Sequence, residues 1–117
     1  MWPYTPFWEW RMRELNEAFG KALRDMRLKA NLAQVDFPPK VSREHVSLLE
    51  RGLRSPSLEV IDNLAEVMGV SPLALVLQCY LYRDQSKSIE ILVGKAMSEV
   101  RMEMIAGAPR KKDGDQS

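Results

Sequence analysis

The chain has 117 residues, of which 45% are hydrophobic and 28% charged, a balance that is typical of one globular domain and excludes wholesale disorder. The net charge of +1 hides an uneven distribution, because the segment from Lys21 to Arg54 contains eight basic residues and only four acidic ones. From Ser55 to Tyr80 there are three acids and no base, so one part of the domain can face a polyanion while another faces away.

The sequence carries no pattern for a disulfide, a membrane span or a catalytic site. The lone Cys79 has apolar neighbours, which predicts an inert packed thiol in a reducing, cytoplasmic compartment. The longest apolar run, LALVL, is far below the ~20 residues of a membrane span, and no targeting segment is recognisable. One histidine and one distant cysteine make neither a metal site nor a dyad. We therefore expect no enzyme, metal, cofactor or membrane partner.

Residues 1–12 concentrate aromatic side chains. Two prolines among them favour an extended arm over a helix. Left exposed, so much apolar surface would promote association, so the arm is expected to cover its own core, a second subunit or another protein. The aromatic residues are Trp2, Tyr4, Phe7, Trp8 and Trp10.

Helical periodicity follows the arm. Apolar residues three and four apart predict a first helix over residues 15–30. A short helical segment over residues 33–37 must stop before Pro38 and Pro39, which we expect to form an extended link. The predicted caps and stops of the next helices are Ser42 with Gly52, Ser57 with Gly69, and Ser71 followed by Pro72.

The C-terminal third adds two helices and a tail. The helix over residues 73–82 is apolar nearly all round, so it is expected to be buried on more than one side, within the domain or against a second copy. Residues 84–107 contain a final amphipathic helix, and the polar residues 108–117 are expected to be disordered.

From Gly20 to Leu77 the sequence resembles the phage repressor and Cro type helix-turn-helix, also called the xenobiotic response element family. The resemblance rests on GKALRDMR in the first helix, LAQ opening the second, VSREHVSLLERG for the recognition helix and RSPSLEVIDNLAEVMGVSPLAL behind it. It implies an all-α, lambda-repressor-like five-helix domain over residues 13–83. The spacing from Gln34 to Glu50 is two residues shorter than usual in the family, which predicts a shortened helix two ending at FPPK.

The resemblance also implies a DNA interface. Gln34 opens a helix, where free N–H groups and an amide can bind a phosphate oxygen. Arg43 is expected to contact guanine O6 and N7, whereas Glu44 discriminates between bases more than it adds affinity. Arg27 and Glu50 resemble the buried ion pair of the family and are expected to be structural. The predicted DNA-binding residues are Gln34, Ser42, Arg43, Glu44, His45, Ser47, Arg51, Arg54 and Ser55.

These features predict a sequence-specific transcriptional regulator that binds double-stranded DNA as a homodimer on a near-palindromic operator. The alternative is a protein-interaction module, antitoxin-like or regulatory, that keeps the fold with weakened DNA reading because helix two is short. The helix within residues 84–107 is expected to make most of the dimer contact. The predicted interface residues are Trp8, Trp10, Leu77, Leu81, Ile89, Leu92, Val93, Ala96 and Val100.

Overall fold

The computed structural model describes the backbone of residues 6–107 and the side chains as far as residue 101. Within these residues the fold is all α, as predicted, and contains no strand. Its helices are α1 (Phe7–Lys29), α2 (Arg43–Glu50), α3 (Leu58–Met68), α4 (Pro72–Arg83) and α5 (Ile89–Gly107), with a single 3₁₀ turn at Gln34–Asp36. The predicted tail, 108–117, and the first part of the predicted arm, 1–5, lie outside the described residues.

The chain divides into two compact units, Met1–Gln85 and Ser86–Ser117. The first unit holds α1 to α4, and α1 is its central helix because α2 and α4 both pack against it. Helix α4 also packs against α3. The fully buried side chains that join these elements are Leu23 of α1, Val46 and Leu49 of α2, Leu64 of α3 and Leu75 of α4, together with Phe37.

Helix α1 begins at Phe7, so the prediction of an extended arm is wrong for residues 7–12. Pro6 is the N-cap and has extended backbone, which shows that the proline marks the start of the helix and does not interrupt it. The first turns are further supported by Glu9 and Arg13, four residues apart with 3.9 Å between their charged groups. Trp8 and Trp10 are exposed on this helix.

The serine caps form as the sequence predicts. The hydroxyl oxygens of Ser42, Ser57 and Ser71 each accept a backbone N–H from the third residue along, at 3.1 Å. At the opposite ends Gly52 and Gly69 adopt φ of 74° and 73°, the left-handed conformation that often ends a helix and that glycine adopts without strain. Helices α2 and α3 therefore have closely defined ends.

Helix α4 is buried along one line of side chains, of which Leu75 and Cys79 are the most enclosed. Burial raises the pKa of the Cys79 thiol to about 11, so the group is a neutral thiol at physiological pH, as the prediction of an inert packed cysteine requires. Leu77 and Leu81 are half-buried, whereas Leu73 is exposed. The helix is thus only partly covered within its own unit.

Helix α5, in the second unit, leaves apolar side chains exposed, including Ile89 and Val100. Its first turn is capped by the Ser88 hydroxyl, which accepts the Ile91 N–H at 3.2 Å. Among the described helices no single one is long and apolar enough to cross a membrane; α3 and α4 reach that length only as a pair bent by 107°.

Candidate nucleic-acid interface

Helix α2 has one buried side and one exposed side. Val46 and Leu49 are fully buried and fix the helix to the core, while the side chains of Arg43 and Glu44 in the first turn are exposed. His45 and Ser47 are half-buried beside them. This arrangement places polar side chains at the N-terminal end of a rigidly held helix, which is the part of a recognition helix that contacts base edges.

A polar network holds the other end of α2. The Arg27 guanidinium donates from Nε to Glu50 Oε2 at 2.6 Å and from Nη2 to Glu50 Oε1 at 3.0 Å, so the expected ion pair is present and bidentate. Arg27 Nη1 also donates to the Leu32 carbonyl at 3.0 Å. The hydrogen bond to Glu50 raises the pKa of Arg27 above its ordinary value. The two side chains are only 11% and 6% exposed, so the pair is largely shielded from solvent.

Gln34 joins this network. Its Nε2 donates to Glu50 Oε1 at 3.0 Å, so one carboxylate accepts hydrogen bonds from α1 and from the 3₁₀ turn while lying at the end of α2. The side chain that was predicted to bind a phosphate therefore has a structural partner. One amide hydrogen and the carbonyl oxygen of Gln34 are left for other contacts.

Helix two is reduced to the 3₁₀ turn Gln34–Asp36, in keeping with the predicted shortening. The link after it is not extended, and that prediction is wrong. The N–H groups of Lys40 and Val41 donate to the Phe37 carbonyl at 3.1 and 3.3 Å, which closes a compact turn around the two prolines. Burial of Phe37 and Val41 explains the tight path, because both side chains must reach the core within four residues.

Asp36 is a residue of the candidate interface that the sequence interpretation did not include. Its carboxylate accepts the Ala33 N–H at 2.7 Å, at the helix start where a phosphate was expected to bind. The Asp36 carboxylate thus occupies one of the backbone N–H donors at this helix start and adds a negative charge beside them. An acid within the first turn of a helix was the sequence signal for it.

The loop after α2 is tied to α1. Ser55 Oγ donates to Asn16 Oδ1 at 2.8 Å, so this predicted contact residue also has a structural partner. Arg51 and Arg54 are exposed on the same loop. Three groups of predicted residues are thus recognisable: the first turn of α2, the loop after it, and Gln34 at the polar network.

In the part of the chain with described side chains, no cluster of three or more His, Cys, Asp or Glu could hold a metal ion.

Comparison with known proteins identifies the family of this chain. A helix-turn-helix family model matches residues 23–75. The HTH-type transcriptional regulator DdrOP3 of Deinococcus deserti is 36% identical over 76 residues, which cover 65% of this chain and 52% of that protein. The control protein C.BamHI of Bacillus amyloliquefaciens is 37% identical over 57 residues, 46% of this chain and 70% of that protein. No solved structure matches significantly.

The helical fold and the family match together define a helix-turn-helix protein. The chain belongs to the Cro/C1-type helix-turn-helix family, the xenobiotic response element family. It spans about half the length of the Deinococcus relative and more than two thirds of the Bacillus one.

Proposed function

We propose that this protein is a sequence-specific DNA-binding transcriptional regulator with α2 as its recognition helix. The observation that carries the proposal is the exposed first turn of α2, where Arg43 and Glu44 project from a helix whose other side is fully buried. The names of the two relatives, a transcriptional regulator and a control protein, support a regulatory role.

In this proposal the three groups of residues have different tasks. Arg43 reads a guanine through a bidentate contact of its guanidinium with O6 and N7, and Glu44 disfavours the wrong bases. Arg51 and Arg54 contact backbone phosphates and set the register of the helix. The backbone N–H groups near Gln34 meet a further phosphate, against the repulsion of the Asp36 carboxylate.

Selection of bound sequences from random duplex DNA with the full chain tests the proposal. We expect enrichment of an inverted repeat, followed by gel shifts in which the selected duplex competes at least a thousandfold better than random duplex. Failure to enrich any sequence, in a preparation whose helicity and unfolding show it to be folded, would refute sequence-specific reading.

Substitution of the base-reading residue should change specificity. We expect Arg43→Ala to lose preference at one base pair per half-site, at a cost of roughly 1 to 3 kcal/mol of binding free energy, because the bidentate contact to guanine is removed. The matched control is Arg54→Ala, which should weaken all sequences about equally. A binding matrix that Arg43→Ala leaves unchanged would exclude Arg43 as a base reader.

The Asp36 carboxylate should limit the affinity of the protein for DNA. We expect Asp36→Asn to bind DNA several-fold more tightly, because the amide oxygen can still accept the Ala33 N–H while the negative charge near the phosphate is gone. The difference between variant and parent should shrink as salt rises. Equal affinities at low salt would show that no phosphate approaches this turn.

The protein is further proposed to act as a homodimer, because one short recognition helix reads too few base pairs to find a site in a genome. Two-fold symmetry with recognition helices about 34 Å apart, one turn of B-DNA, requires a near-palindromic operator. The apolar side chains of α5 supply a surface for this contact, and the exposed side chains of Trp8 and Trp10 on α1 supply another.

Sedimentation of the full chain at tens of micromolar tests the dimer. We expect the double variant Ile89→Glu, Val100→Glu to sediment as a monomer, because it places four charges in the paired interface. Lys95→Ala, which changes the exposed Lys95–Glu99 pair on the same helix, is the control and should stay dimeric. A monomeric parent, with and without DNA, would refute the dimer; an undiminished dimer in the double variant would move the interface away from α5.

The second candidate is a protein-interaction module, favoured by the reduction of helix two to one 3₁₀ turn with a carboxylate at its start. Gel shifts over a salt series separate the candidates. A module that has lost DNA reading should bind all duplexes equally weakly, with no competition advantage for any selected sequence.

A further inference from the structure

We infer that a groove between α1 and the end of α2 binds an additional backbone phosphate of the DNA, with Arg24 and Arg51 as the main ligands. The inference rests on the proposed DNA-binding function. It extends the interface to Arg24 on α1, outside the residues predicted from sequence, and shares Arg51 with the loop contacts proposed above.

The groove has a volume of about 520 Å³. Lys21, Arg24 and Leu28 form its α1 wall, and Glu50 and Arg51 form the opposite wall. The two walls have a fixed spacing, because the α1 backbone at Gly20 lies against the carbonyl groups at the end of α2. A preformed polar groove of this kind can hold an anion without rearrangement.

Three acids and three bases line the groove, and one positive charge is left over because the acid Glu50 is paired with Arg27, which is not part of the lining. Glu50 is already neutralised by Arg27 and receives a further hydrogen bond from Gln34. Asp25 accepts the hydroxyl hydrogen of Tyr82 on the side of α4, a neutral donor that adds no counter-charge. Arg24 and Arg51 are exposed, so their guanidinium groups are accessible to a ligand.

Two remaining charges modulate the site. Lys21 lies with its Nζ 4.7 Å from the centre of the Tyr82 ring, which leaves the ammonium on the surface beside the groove. Glu17 is exposed in the wall and opposes an anion. A phosphate is therefore attracted by two arginines and a lysine and repelled by two carboxylates, Glu17 and Asp25.

The groove adjoins the proposed DNA face through Glu50. This carboxylate lines the groove and also binds the amide of Gln34, whose neighbouring N–H groups are proposed to meet a phosphate. Arg51 follows Glu50 directly in the chain. A DNA strand that passes the 3₁₀ turn and the loop after α2 thus presents its backbone to the groove, and planar guanidinium groups are suited to bidentate phosphate contacts.

The test uses the full chain on its selected duplex and on random duplex, with Arg24→Ala compared with the parent. The plot of log affinity against log salt concentration should become shallower, its slope decreasing in magnitude by about 0.9. Binding to the two duplexes should weaken to a similar extent. Phosphate ethylation interference should lose one position per half-site. Arg13→Ala, an exposed cation elsewhere on α1, is the matched control and should change neither measurement.

Glu17→Gln supplies the opposite change and should tighten binding to both duplexes, because it removes one of the two opposing charges while keeping the side-chain volume. An Arg24→Ala variant that matches Arg13→Ala in salt slope and ethylation pattern, on a parent that binds its selected site, would overturn this inference alone. A parent without any DNA binding would overturn the proposed function and the groove together.

Discussion

Removal of either partner of the Arg27–Glu50 pair is expected to lower the free energy of unfolding by about 3 to 5 kcal/mol. In Arg27→Met the Glu50 carboxylate stays largely shielded from solvent, with 6% of the side chain exposed and Gln34 as its remaining side-chain donor. In Glu50→Gln the Arg27 guanidinium loses its counter-charge but keeps the Leu32 carbonyl. Urea unfolding of each variant, followed by circular dichroism, measures the loss.

Two comparisons make this prediction specific. The double variant Arg27→Met, Glu50→Met should recover part of the loss, because no unpaired charge then remains in the interior. Lys95→Ala removes an exposed pair of the same 2.6 Å length and should leave the unfolding curve nearly unchanged. Weaker DNA binding by Arg27→Met with an unchanged unfolding curve would instead place Arg27 at the DNA.

Gly20→Ala is the second change with a large expected effect. A Cβ at this position would lie 2.5 Å from the Leu49 carbonyl oxygen and 2.6 Å from that of Glu50, both of them backbone atoms at the end of α2. Overpacking of this kind costs roughly 1 to 3 kcal/mol or more, against a helix-propensity gain of about 1 kcal/mol. We expect a net loss in stability, with weaker DNA binding because α2 must shift.

Gly94 in α5 offers the matched control, since a Cβ there meets no atom within 4 Å. Gly94→Ala should therefore show the propensity gain without the clash, as a small rise in helicity or unfolding midpoint. Equal responses of the two alanine variants in unfolding experiments would show that α1 and α2 do not approach as closely as the structure indicates.

Helix boundaries with a strong local cause were predictable from sequence. The serine caps and the glycines at 52 and 69 act within one turn of the chain, so their effect does not depend on the rest of the fold. Pro6 was misread because a proline is equally compatible with an extended arm and with the start of a helix. The residues after the proline decide between the two, and the spacing of Glu9 and Arg13 favours the helix.

The candidate site was predictable only in part. The Arg27–Glu50 pair followed from the family resemblance, and the structure contains it. The third donor, Gln34, and the capture of the Ala33 N–H by Asp36 were not predictable, because both depend on the path of the compact turn around Pro38 and Pro39. Propensities of single residues do not determine such a path, which is set by the burial of the side chains on either side of it.

Arg27 of α1 and Gln34 of the 3₁₀ turn both donate to the Glu50 carboxylate and so fix the C-terminal end of α2. The residues that orient this helix are therefore different from the residues proposed to read bases. Arg43 and Glu44 are exposed at the opposite end of the helix and take no part in that network. Under the proposed function, substitutions at these two positions should therefore change which bases are preferred at almost no cost in folding free energy. New operator specificities should be accessible, in the laboratory or by natural divergence, without compensating changes elsewhere in the fold.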